Sequence, residues 1–136
     1  MKKIVLGSMI LISLGFSKEY LQADRIHDMQ KIAQAMQDIQ SGFFYNNLDI
    51  VKAGAADLKE TIMKIGPIKR EIESKDVYER WMNNNTAMTK RLQRKIAQYS
   101  DDIVERFGSG DATQALQFYG KVSSECMKCH VSLRKW

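Results

Sequence analysis

Apolar residues return every three or four positions through most of this chain, and that pattern restricts it to amphipathic helices packed on one another. The first stripe is Ile26, Met29, Ile32, Ala33, Met36, Ile39 and Phe43. Asn46 and Asn47 supply a stop, and Asp49 an N-cap for the next segment. The second stripe is Ile50, Val51, Gly54, Leu58, Ile62 and Ile65. It is predicted to run to Gly66-Pro67, because proline cannot continue a helix. The third starts near Asp76 and carries Val77, Trp81, Asn85, Met88, Leu92, Ile96, Tyr99, Ile103 and Phe107, about eight turns. Gly108-Ser109-Gly110 breaks it, and Asp111 with Gln114 three residues on resembles a capping box. The fourth segment is expected to bury Ala115, Leu116, Tyr119, Val122, Cys126, Cys129 and Leu133. Eight glycines and one proline in 136 residues leave little punctuation for a β-sandwich.

Short connections force neighbouring helices to run antiparallel, so the fold class is all-α, an up-down-up-down four-helix bundle. The longest connection, residues 66–76, is charged and expected to be solvent-exposed. The bundle occupies residues 18–136 as a single domain. Ahead of it, Lys2 and Lys3 precede an apolar run from Ile4 to Phe16, with Gly15 and Ser17 at positions −3 and −1 of a cut before Lys18. Residues 1–17 therefore read as a secretory signal peptide, which places the mature protein in the periplasm as a soluble, exported chain. An uncleaved N-terminal anchor is the alternative, and membrane association would follow only from it. The formal charge is +5, or +3 without Lys2 and Lys3. The excess is scattered, which does not make a nucleic-acid footprint.

The chain has two cysteines, Cys126 and Cys129. A disulfide between them would close a tiny loop and add little stability, so they call for a chemical explanation. Cys126-Met127-Lys128-Cys129-His130 is the CxxCH pattern of covalent haem attachment. Two thiols add across the two haem vinyl groups, and the adjacent histidine reaches the iron with an imidazole nitrogen. On a helix these three residues share one face, so all can address one flat macrocycle. The rival readings ask for features that this sequence does not offer. A thioredoxin-like dithiol needs a βαβ context, and a zinc site needs further ligands where only His27 remains among the histidines.

These residues resemble the cytochrome c-prime family of class II c-type cytochromes, above all its low-spin, methionine-ligated branch. The resemblance spans nearly all of the mature chain. It is carried by Gly110-Asp111, Leu116, Phe118, Val122, Cys126, Cys129, His130 and Arg134, by Asp76 and Trp81, and by Arg25 followed four residues later by Met29. The sequence departs from the family in the charged loop after Pro67 (Lys69, Arg70, Glu71, Glu73, Lys75) and lacks the common aromatic just before the arginine.

The resemblance implies a four-helix bundle enclosing one covalent haem c, with Met29 at the distal position. A thioether there is a soft sixth ligand that suits low-spin iron, and the protein would be an electron carrier and not an enzyme. The alternative is a five-coordinate iron with an open distal site that binds NO or CO, Met29 then being core like Met36. His27, two residues from Met29, points away on a helix and reads as a surface histidine. Arg25 and Arg134 are the candidate propionate contacts. Lys90-Arg91 and Arg94-Lys95 read as a solvated face. The partners implied are unidentified redox proteins and a second copy in a homodimer.

Overall fold

A computed structural model describes residues 19–68, 71, 73–76 and 86–133. The signal segment 1–17, the loop charges Lys69 and Arg70, the stripe residues Val77, Trp81 and Asn85, and Arg134 lie outside the described residues. Four helices form, with no strand among the described residues: α1 (Gln22–Phe44), α2 (Leu48–Ile62), α3 (Thr86–Gly108) and α4 (Ala112–Leu133). The regular structure of the described residues is therefore all helical, consistent with a four-helix bundle.

Local chemistry sets most of the helix ends. Asp24 accepts from the Leu21 backbone N–H at 2.9 Å and starts α1. At its other end Asn46 adopts a left-handed φ of 49°, which asparagine tolerates, and the Asn47 N–H donates back to the Gly42 carbonyl at 2.9 Å. The N-cap of α2 is Asn47, not Asp49: its Oδ1 accepts from the Asp49 and Ile50 N–H groups at 3.0 and 3.2 Å. Asp49 instead sits in the first turn, where its charge favours the helix dipole. Asp111 caps α4 as its spacing predicts, accepting from the Gln114 N–H at 2.9 Å.

α2 stops at Ile62, short of the expected Gly66-Pro67. The Lys64 and Ile65 N–H groups tighten the last turn by bonding the Thr61 and Ile62 carbonyls at 3.0 and 3.4 Å, and a tertiary contact adds to this. The Gln93 side-chain amide, donated from α3, takes the carbonyls of Ile62 and Ile65 at 2.7 and 2.6 Å. Carbonyls satisfied this way no longer need a continued helix. The connection that follows is not wholly exposed either, since Ile68 is buried.

α1 packs along α2, α2 along α3, and α3 along α4. The first contact needs two glycines. A Cβ on Gly42 would lie 2.6 Å from the Val51 side chain, and one on Gly54 would lie 2.9 Å from the Ala35 carbonyl. The core runs through Ile39, Val51, Leu58, Ile96, Ile103, Ala115 and Val122. At one end Phe43 joins three helices, with ring centroids 5.2 Å from Phe107 and 6.0 Å from Tyr119. Leu116, expected inside, is 57% exposed. It lies one residue, about 100°, off the stripe of Ala115, Phe118, Tyr119 and Val122. Ile26, at the edge of the α1 stripe, is exposed as well. Among the described residues no packing as close as these three joins α1 to α4, and the candidate site lies between them. Among the same residues no helix is long and apolar enough to cross a membrane.

Candidate functional site

A cavity of about 260 Å³ opens where all four helices contribute a wall. α1 supplies Met29, Ile32, Ala33 and Met36, the last residue of α2 and the segment after it supply Ile62 and Ile65, and α3 supplies Thr89, Leu92, Gln93 and Ile96. α4 closes it with Cys126, Cys129 and His130. The stripe spacing explains this convergence. Met29, Ile32, Ala33 and Met36 repeat at three and four residues on α1, as Cys126, Cys129 and His130 do on α4. Both groups therefore present one face.

The residues singled out from sequence divide cleanly. Cys126, Cys129, His130 and Met29 meet in this one cavity. Met36, expected to be plain core, lines it too, one further turn pair along α1. His27 is exposed and lies outside the lining, as its position on α1 predicts. Arg25 is drawn elsewhere. Its Nη1 donates to Glu71 Oε2 at 2.8 Å and its Nη2 to Glu71 Oε1, a two-point ion pair that a propionate contact would have to share or replace. Arg134 lies outside the described residues.

The electrostatics of the α4 wall follow from burial. Cys126 and Cys129 are both half-buried, and no disulfide joins them. Desolvation, reinforced by Cys129, pushes the Cys126 thiol up to about 11, so it stays protonated at neutral pH. One residue earlier, the Glu125 side chain is only 5% exposed. Its Oε1 accepts from Lys128 Nζ at 2.7 Å and from Lys95 Nζ at 3.4 Å, while its buried Oε2 has no hydrogen-bond partner among the described residues. The Lys128 hydrogen bond outweighs burial and holds the carboxyl below the usual glutamate range.

Three residues of this region escape sequence reasoning. Gln93 is a polar side chain beside the α3 stripe whose partners lie 28 and 31 residues away. Glu71 finds Arg25 across 46 residues. Glu125 carries a local signal, the i,i+3 spacing to Lys128, but nothing local marks it as buried.

The donor set suits a haem. One imidazole and a methionine thioether, from Met29 or Met36, are the nitrogen and soft sulfur donors that low-spin iron takes, two thiols share the imidazole's wall, and aliphatic side chains make up most of the rest. Among the described residues no group of three or more His, Cys, Asp or Glu side chains is placed to hold a bare metal ion. A scan against protein-family models finds no match for this chain, and searches of curated proteins and of solved structures find none.

Proposed function

We propose that the chain is an exported mono-haem c-type cytochrome of the cytochrome c-prime kind, an electron carrier built as an antiparallel up-down-up-down bundle around one covalent haem. The observation that carries this reading is the meeting of Cys126, Cys129 and His130, the whole of a CxxCH motif, with Met29 in one largely apolar cavity. Bound there, haem would supply reversible one-electron chemistry between ferric and ferrous iron.

The chain's own residues divide the remaining work. The Cys126 and Cys129 thiols are the anchoring points, and their shared face with His130 fixes the imidazole beside them. Met29 offers its thioether from α1, a ligand that favours the reduced state and raises the potential. Ile32, Ile65, Leu92 and Ile96 exclude water, which favours the less charged form of the centre. In this reading residues 1–17 direct export to the periplasm, and the partners are redox proteins or a second copy of the chain.

The same aliphatic lining favours one alternative. If Met29 only covers the distal face, as Ile32 and Ala33 beside it would, the iron is five-coordinate and open to NO or CO.

Absorption spectra of the protein matured with the haem-attachment machinery decide between them. A low-spin ferric spectrum with the weak far-red thioether band supports the electron carrier. A high-spin ferric spectrum with rapid CO uptake by the ferrous form supports the gas-binding reading. Haem lost from the chain on denaturing electrophoresis would overturn both.

A further inference from the structure

The segment that follows α2 forms part of the cavity wall, and it is held from two sides. From α3, the Gln93 amide holds the Ile62 and Ile65 carbonyls. From α1, Arg25 holds Glu71 through both nitrogens of its fork. Between these clasps Ile65 lines the cavity and Ile68 is buried. Ile68 is tied to Glu71 in turn: its carbonyl accepts from the Glu71 N–H at 3.0 Å, and its own N–H lies 3.5 Å from Glu71 Oε2.

The pair is unlike the surface pairs of this molecule. Its side chains are 29% and 19% exposed, against 48% and 62% for Lys59–Asp101. Exposed pairs contribute little, whereas a two-point, partly desolvated guanidinium–carboxylate pair fixes geometry. Arg25 also lies one helical turn before Met29, on the same side of α1. What Arg25 grips is therefore placed next to Met29 and Ile65.

We propose that Arg25 and Glu71 are positioning residues for the Met29 side of the cavity: their pair seats Ile65 and Ile68 against α1 and so restricts how fast a small ligand such as CO enters from that side. The restriction on CO rests on the haem reading, while the seating of the segment does not.

Hydrogen exchange and CO binding on the holoprotein test the two halves separately. Glu71→Gln removes the charge and one acceptor, and should speed amide exchange at Ile68 and Glu71 about tenfold while sparing Ile96 and Val122. The same variant should raise the bimolecular CO rate of the ferrous protein several-fold. The exchanged pair Arg25→Glu with Glu71→Arg should restore most of both. Unchanged exchange in Glu71→Gln, equal acceleration in the core amides, or no recovery in the exchanged pair overturns the proposal. Faster exchange with an unchanged CO rate overturns its second half. A high-spin wild-type spectrum counts against Met29 ligation alone, since the ratio of CO rates between variant and wild type still decides the role of the pair.

Discussion

Replacing Gln93 tests how the cavity wall is built. Gln93→Met keeps the length and most of the volume of the side chain but removes the amide. The Ile65 carbonyl loses the Gln93 donor, and the Ile62 carbonyl is left with only the long bond from the Ile65 N–H at 3.4 Å. Gln93 itself is 6% exposed and Ile62 is buried, so water cannot easily replace the bond to Ile62. A buried acceptor left unpaired costs roughly 1–3 kcal/mol. Ile65 is only half-buried, and its carbonyl recovers part of the loss from solvent. The sum is about 1–3 kcal/mol, a sizeable share of the 5–15 kcal/mol that holds a domain of this size together. Urea unfolding of the holoprotein, followed by far-ultraviolet circular dichroism, would measure it. Gln93→Glu sharpens the test. A carboxylate cannot donate, so the variant should be at least as unstable at neutral pH and should regain stability on acidification, when protonation returns one donor. A loss under about 0.5 kcal/mol for both variants, the range of an ordinary surface change, would show that the clasp does not help to end α2.

Four further outcomes are expected. Met29→Ala should turn low-spin ferric iron high-spin and lower the potential, whereas Met36→Ala should leave the spectrum unchanged and cost about 2 kcal/mol, the lower edge for a buried methionine, because Met36 is half-buried. Replacing Cys126 and Cys129 together should abolish haem staining on a denaturing gel, and an intact-mass measurement on secreted wild type should give residues 18–136 plus one haem. Gly54→Ala should destabilise by about 1–3 kcal/mol, because its Cβ meets the Ala35 carbonyl at 2.9 Å, while Gly120→Ala, with nothing within 4 Å, should stabilise by about 0.5–1 kcal/mol in thermal melts. The Glu125 carboxyl is held below its ordinary value of about 4.3, so its contribution is complete above that pH and is lost as pH falls through the lowered value; melting temperature against pH should show a shallower acid limb in Glu125→Gln.

Periodicity made four helices legible, and local chemistry made the Asp111 cap legible, because each of those signals acts within a few residues. The α2 terminus was not, since Gln93 helps to end that helix from a distance no local rule spans. The choice of Asn47 over Asp49 as cap turned on a single-residue shift between two good capping side chains. Leu116 looked buried because an apolar residue beside the stripe scores like one on it, and only the true orientation of α4 separates them. At the site, spacing placed Cys126, Cys129 and His130 on one face. Met29 was chosen by resemblance and not by pattern, since Met36 fits the same stripe and shares the same cavity. The clasp of Arg25 by Glu71 had no sequence signal, because charged residues in that loop all look equally solvated until one of them is half-buried.

The cavity itself is the strongest argument that the bundle is made to be filled. The pocket is open to solvent on one side, so its apolar lining carries the cost of exposed hydrophobic surface and not the penalty of a sealed void. Water that enters finds few strong partners there, because most of the lining is apolar and the main polar side chains are Thr89, Gln93 and His130. Shrinking the void is blocked too. The α1–α2 contact is already as close as Gly42 and Gly54 permit, and the Phe43, Phe107 and Tyr119 rings prop α1 against α3 and α4 at one end. A sequence selected only for helix packing would fill such a gap with larger side chains. This one sets two methionines, two thiols and an imidazole among the isoleucines and Leu92 of the lining, residues that offer bonds as well as apolar surface. A flat apolar ligand fixed at the two cysteines would cover that lining and use those donors, so the occupant proposed from the CxxCH motif would also stabilise the fold.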